Sequence, residues 1–313
     1  MDIVLLIPGQ GSQKPGKRRD LADAFPAARE EFERVDEALG APLSRLCFDG
    51  PADELTLTHN AQPALLAHSA AVWAVTRDEL ASRVRAAAGH SLGEFTAYYA
   101  AGALPLARAA RLVRRRGELM YRAGVERPGA MAAILGDPTE PIEGICERAT
   151  AEGGLVVPAN YNAPGQTVIS GEVAGVDRAM ELTKAAGAKR AMRLAVSGAF
   201  HSPLMAPARD GLREALEQAQ IADAAFPVYA NVTAAGVTDA ATAMSLLLEQ
   251  LTSPVRWTEV VRALAARHPD ALYIEMGPGT VLGGLVRKIA PELRTASCGT
   301  VADVEQLLQT VAA

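Results

Sequence analysis

The sequence predicts an α/β protein: a mainly parallel sheet covered on both faces by helices, interrupted by a smaller unit of its own. Three observations predict it. Short apolar runs such as Ile3-Val4-Leu5-Leu6-Ile7 and Ala86-Ala87-Ala88 alternate with longer stretches of helical periodicity, as expected of strands buried on both faces. Residues 129–195 carry a strand-helix-strand-strand-helix-strand rhythm, after which the larger pattern resumes; this is the order of a ferredoxin-like unit. A chain of 313 residues, 49% hydrophobic and 21% charged, also suffices for one large core and a smaller subdomain. The expected division is a core of residues 1–127 and 197–313, with 128–196 inserted.

Residues 2–8 read as a buried strand stopped by Pro8. Gly9-Gln10-Gly11-Ser12-Gln13 follows as a loop at the strand's carboxyl end, where open α/β sheets bind ligands. Lys14, Lys17, Arg18 and Arg19 form a basic patch, either solvated or in contact with phosphate or an acidic partner. Residues 26–39 form an amphipathic helix with proline near its start, and 62–75, apolar all round, a buried one.

The run Ala86-Ala87-Ala88 then enters Gly89-His90-Ser91-Leu92-Gly93, and a helical stretch, 92–101, begins at once. This is the setting of a nucleophile elbow. The serine sits on a sharp turn that flanking glycines permit, and the Leu92 N–H points at charge developing beside the serine oxygen. The helix 106–123 carries Arg108, Arg111, Arg114, Arg115, Arg116 and Arg122. Six arginines at these spacings cannot share one face; most are solvated, and one turned inward would need an acidic ligand or a carboxylate.

Within the inserted unit the expected elements are strand 130–135, helix 138–151, strand 155–161, a turn at 162–165, strand 166–171, helix 172–187 and strand 189–194. A loop, 195–203, carries Phe200-His201-Ser202. Beyond it lie helix 204–220, strand 227–230, helices 240–251 and 258–268, and strand 271–276, which ends in Gly277-Pro278-Gly279. Helix 281–289, a strand near 294–297 and a last helix complete the chain.

Several function classes are disfavoured. A net charge of −5 and 4% aromatic residues argue against a nucleic-acid partner. No run reaches membrane-spanning length, and the start lacks a signal-peptide pattern. Cys47, Cys146 and Cys298 are far apart, odd in number and in no ligand spacing, which fits reduced thiols in the core of a cytoplasmic protein. No two histidines stand at metal-ligand spacing with a carboxylate or cysteine, so no metal is expected.

A serine nucleophile needs a base. His59 and His68 precede or sit within an apolar helix, His268 ends a helix, and His90 adjoins Ser91 on the opposite side of the strand. His201, in a loop between apolar elements, is the best-placed of the five.

Gly9-Gln10-Gly11-Ser12-Gln13, Gly89-His90-Ser91-Leu92-Gly93-Glu94, Arg116-Gly117-Glu118-Leu119-Met120, Gly198-Ala199-Phe200-His201-Ser202 and Gly277-Pro278-Gly279 occur in that order. Together with 160–166 and 250–257, they make the chain resemble the malonyl-CoA:acyl-carrier-protein transacylase family, including discrete acyltransferases serving polyketide synthases. The resemblance implies an α/β-hydrolase-like core with a ferredoxin-like insertion. It implies Ser91 as nucleophile, His201 as general base and acid, and the N–H groups of Gln10 and Leu92 as oxyanion hole. Arg116 would grip the malonyl carboxylate, with Met120 and Phe200 shaping the substrate pocket and Phe200 favouring malonyl over methylmalonyl. Gln250 would lie beside His201, and a backbone carbonyl there would orient the imidazole.

The implied reaction moves malonyl from malonyl-CoA to the phosphopantetheine thiol of an acyl carrier protein met in trans, by a monomer without a cofactor of its own, in fatty-acid or polyketide synthesis. A thioester hydrolase clearing stalled chains from carrier proteins would use the same serine and histidine, and a non-catalytic scaffold would need neither. No carboxylate stands out as a third catalytic member; Glu275, at a strand end, follows His201 rather than preceding it. Gly16-Lys17-Arg18-Arg19 departs from the family's Gly-Met-Gly, and its basic residues are candidates for meeting the carrier or CoA phosphates.

Overall fold

Strand β1 (Ile3–Ile7) lies inside the larger sheet, fully buried and paired in parallel on both sides. This computed structural model describes residues 1–11 and 19–312. The remaining strands are β2 (Val84–Gly89), β3 (Gly129–Leu135), β4 (Val156–Ala163), β5 (Gln166–Glu172), β6 (Arg190–Arg193), β7 (Val228–Tyr229), β8 (Gly236–Val237), β9 (Leu272–Met276) and β10 (Arg294–Cys298). The large sheet runs β10-β9-β1-β2-β7-β8, and only the β7–β8 pair is antiparallel.

Alternation along β1 divides the core. Ile3, Leu5 and Ile7 belong to the apolar cluster that also takes in the helices Thr58–Leu80 and Leu106–Glu126, whereas Val4 and Leu6 cluster with Trp257, Val260, Leu285 and Val286 of Trp257–Arg267 and Val281–Ile289. Both faces are covered, which is why these strands read as continuous apolar runs. The register sets Ile7 opposite Gly89, so the loop after β1 and the turn after β2 emerge side by side.

The second sheet is antiparallel in the order β4-β5-β3-β6, the ferredoxin-like arrangement. Ala132, Ile134 and Ile169 on one face pack under the helices Ile142–Gly153 and Val173–Ala185. Met131, Ala159 and Val168 on the other join the main core. The main chain of β4 also bonds to that of Val255, with Tyr161 N–H to Val255 O at 2.9 Å and Val255 N–H to Ala159 O at 2.8 Å.

Helices Pro26–Leu39 and Val281–Ile289 fall where periodicity places them, while two expectations need correction. The helix expected at 138–151 starts at Ile142, because Pro141 restricts the residue before it to extended backbone. The expected helix 204–220 is a 3₁₀ turn, Pro203–Ala208, followed by Arg209–Ala219; Pro207 has no N–H to continue an α-helical ladder. Helices Arg19–Ala24, Leu43–Asp49 and Ala52–Thr56 and strand β8 were not anticipated. No helix among the described residues is long and apolar enough to cross a membrane. The basic patch at Lys14, Lys17 and Arg18 lies outside the described residues; its last member, Arg19, pairs with Asp49 at 2.6 Å.

Candidate active site

Ser91 adopts φ 52° and ψ −107° between β2 and the helix Leu92–Ala100. A non-glycine residue in this region is strained, and the turn is possible because its neighbours carry no Cβ. One on Gly89 would strike the Gly93 backbone, and one on Gly93 the Ile7 carbonyl. The sharp turn holds the side chain clear of the sheet, so the Gly-x-Ser-x-Gly reading rests on packing as well as motif.

The Ser91 Oγ lies 2.8 Å from His201 Nε2. His201 Nδ1 lies 2.9 Å from the Gln250 carbonyl and 3.2 Å from that of Ser253. Two carbonyls can only accept, so Nδ1 carries the proton, Nε2 is left basic, and the Ser91 hydroxyl donates to it. His201 is itself held at φ 56°. Burial, reinforced by the Arg116 charge, pushes its pKa down to about 3, so the imidazole is neutral in its resting state. Backbone carbonyls do the orienting that a carboxylate does in a triad. Glu275 instead accepts the Gly283 N–H at 2.8 Å at the start of the helix Val281–Ile289.

Of the six arginines on Leu106–Glu126, Arg116 turns inward and is 1% exposed. Its Nη1 donates to Gln62 Oε1 at 2.7 Å, and its Nη2 to Gln250 Oε1 at 2.9 Å and Ser91 Oγ at 3.2 Å. The guanidinium lies 5.1 Å from the Phe95 ring centroid, and Nε has no hydrogen-bond partner among the described residues. Desolvation lowers its pKa to about 10, against the opposing pull of Glu94. It remains a cation, beside the serine, whose hydrogen-bond partners are all neutral.

A cavity of about 350 Å³ opens over these groups, lined by Gln10, Ser91, Leu92, Arg116, Met120, Phe200 and His201 among others. Seven of the eight sequence-predicted site residues therefore share one wall. The eighth, Gln250, is fully buried behind Arg116. The Gln10 side chain is anchored on Thr58 Oγ1 at 3.3 Å. Leu92 opens its helix, where first-turn N–H groups have no intrahelical acceptor. His90 also lines the cavity, but its Nε2 is engaged by Asn162 Oδ1 at 2.8 Å and its ring packs by Trp257.

Sequence reasoning missed Asn231. Its Oδ1 accepts the Ser91 N–H at 2.7 Å, its Nδ2 donates to Gly89 O at 2.7 Å, and its own N–H donates to Glu94 Oε2 at 3.0 Å. The available signal was position, since Asn231 follows β7, beside β2, at the carboxyl edge of the sheet. Gln62 was likewise read only as part of an apolar helix. Among the described residues no cluster suited to a metal ion occurs, and the chemistry the arrangement offers is that of an oriented Ser-His pair beside a buried cation.

Residues 4–304 match the family model described as the acyl transferase domain. The malonyl CoA-acyl carrier protein transacylase of Bacillus subtilis (strain 168) is 47% identical over 99% of this chain and 97% of its own length. That of Escherichia coli (strain K12) is 44% identical over 94% of each. Among solved structures, an acyl-carrier-protein S-malonyltransferase from Bartonella henselae superposes with a TM-score of 0.93 at 42% identity, covering 100% of both chains. A malonyl-transacylase in complex with its type II PKS acyl-carrier protein superposes with a TM-score of 0.94 at 40% identity, over 99% of this chain and 100% of that one. With the elbow, the Ser-His pair and the inward arginine all in register, the chain belongs to the acyl transferase domain family, among its malonyl CoA-acyl carrier protein transacylases.

Proposed function

We propose that this protein transfers a malonyl group from malonyl-CoA to the phosphopantetheine thiol of an acyl carrier protein, through a malonyl ester on Ser91. The observation that carries the reading is Arg116, a buried cation within 3.2 Å of the Ser91 hydroxyl. A guanidinium holds a carboxylate by charge-assisted, directional bonds. An acetyl group brings no carboxylate to bond that guanidinium, a difference of about 2–5 kcal/mol for a buried hydrogen-bonded charge pair.

His201 Nε2 takes the Ser91 proton as Oγ attacks the thioester carbonyl carbon. The oxyanion is received by the Leu92 and Gln10 N–H groups; the Ser91 N–H, held by Asn231, takes no part. When the C–S bond breaks, His201 returns the proton to the departing CoA thiolate. The second half runs in reverse with the carrier's thiol: His201 takes its proton, sulfur attacks the malonyl ester, and Ser91 recovers its hydrogen. Met120 and Phe200 bound the space around the acyl group, and Phe200 narrows it against a methyl branch. The phosphopantetheine belongs to the carrier, and the enzyme supplies no cofactor.

A hydrolase clearing long acyl chains would have to accommodate them against a buried guanidinium, which disfavours that alternative. The protein works in the cytoplasm, a reading that rests on its three buried cysteines, which a reducing compartment keeps as thiols.

The test is intact-protein mass after brief exposure to malonyl-CoA or acetyl-CoA. Wild type should gain a malonyl adduct, Ser91→Ala none, and Arg116→Ala should shift towards acetyl. Adding carrier protein should remove the adduct by transfer. Turnover confined to carrier-bound longer acyl groups would overturn the reading.

A further inference from the structure

Behind the cavity wall lies a charged group that the chemistry above does not use. Glu94, in the first turn of Leu92–Ala100, is wholly buried. Its Oε2 accepts the Asn231 N–H at 3.0 Å and Gln250 Nε2 at 2.8 Å, whereas Oε1 has no hydrogen-bond partner among the described residues. The other end of the Gln250 amide receives Arg116 Nη2 at 2.9 Å. One side-chain amide thus joins the carboxylate to the guanidinium. The titratable groups that bear on Glu94 are Arg116, from the helix Leu106–Glu126, and Tyr98, one turn along its own helix; His201 lies beyond Arg116.

Without an acyl group, one buried cation and one buried anion balance. Once a malonyl carboxylate reaches Arg116, two anions share one buried cation, an imbalance that a low dielectric penalises. Oε1 can accept a proton without surrendering any hydrogen bond. Burial already holds the Glu94 carboxyl up at about 7, against the opposing pull of Asn231, Gln250 and Arg116.

We propose that Glu94 is the proton-linked counter-charge of Arg116: arrival of the malonyl carboxylate draws a proton from solvent onto Glu94 Oε1, whereas an acetyl group draws none. This rests on the malonyl reading. Glu94 touches no reacting atom and acts through Gln250 on the residue that does. Because the favoured partner is the protonated form, malonyl affinity is level below the free-enzyme pKa of Glu94 and weakens about tenfold per pH unit above it, until the pKa of the complex is reached. Arg116 at about 10, His201 at about 3 and Tyr98, raised by burial far above the neutral range, keep their charge through the relevant window.

The experiment is titration calorimetry at pH 8 on Ser91→Ala, which binds without being acylated, in two buffers of different ionisation enthalpy. Acetyl-CoA serves as reference and cancels protons exchanged by the CoA moiety. The expected result is close to one proton more taken up with malonyl-CoA than with acetyl-CoA, lost in Ser91→Ala/Glu94→Gln, whose malonyl-CoA affinity should match at pH 6.5 and 8.5. Equal uptake for the two ligands in Ser91→Ala, which needs no change at Glu94, would overturn the proposal, as would an excess that survives Glu94→Gln. Malonyl-CoA binding without proton uptake sinks this inference alone; no malonyl-CoA binding at all sinks the transfer reading with it.

Discussion

Asn231 clamps the main chain of the elbow at two points, accepting the Ser91 N–H and donating to the Gly89 carbonyl, each at 2.7 Å. The strained φ of Ser91 is thus held by a side chain from a neighbouring strand end, not by the elbow alone. In Asn231→Ala the Ser91 N–H is left buried without its acceptor, at a cost of about 1–3 kcal/mol. If that cost falls on the transition state, the acylation rate drops about 5- to 150-fold. Asn231→Asp should do no better, since it keeps the acceptor but sets a carboxylate against a carbonyl and near Glu94. Rapid-quench measurement of acyl-enzyme formation checks both; unchanged rates would remove Asn231 from the machinery.

Arg116→Lys retains a positive charge but has a single ammonium in place of the guanidinium fork that reaches Gln62, Gln250 and Ser91 together. Malonyl-CoA KM should rise at least about tenfold, as expected for one lost charge-assisted bond of about 1.5–3 kcal/mol, while acetyl-CoA handling changes little. Steady-state kinetics with both donors give the answer.

The depressed pKa of His201 makes a distinct acid-side prediction. A base whose pKa stood at the ordinary 6.5 would retain about 3% of its neutral form at pH 5. With the free-enzyme value near 3, kcat/KM for acyl-enzyme formation should show no histidine loss between pH 6.5 and 5. The stability sign follows: between those two values the unfolded chain holds the extra proton, so this group's contribution to stability falls as pH drops from about 6.5 towards 3. A pH–rate profile on the acid side, paired with denaturant melts of wild type and His201→Asn, measures both effects.

Gly93→Ala should damage folding before chemistry. The added methyl meets the Ile7 carbonyl, so β1 and the elbow helix must separate. Overpacking of this kind costs about 1–3 kcal/mol, visible as a lowered Tm. Gly144→Ala, where a Cβ meets nothing within 4 Å, is the control and should stabilise its helix slightly.

How much of this was legible in the sequence depends on what each residue relies on. The elbow, the helix Pro26–Leu39 and the strand-helix alternation are local patterns with local causes. His201 emerged from its loop setting, and its nearness to Ser91 is now a distance of 2.8 Å. Arg116 was one of six arginines until the family motif singled it out; helical spacing alone could not say which one turns inward. Asn231 and Glu94 are illegible as partners because their bonds span 137 to 156 positions of chain. The helices between 43 and 56 are short and flanked by prolines, so neither has the length from which a period can be read.

The place of β1 in its sheet has a consequence for biosynthesis. Ile3–Ile7 is made well before β9, Leu272–Met276, which it needs along one of its two edges. Until that late segment has left the ribosome, five buried-type side chains and a row of unpaired amides stay open to any passing strand. Truncated chains ending before β9 should therefore precipitate rather than work slowly, even though Ser91, Arg116 and His201 have all been translated. Competence waits on β9, however early the reacting groups themselves are made.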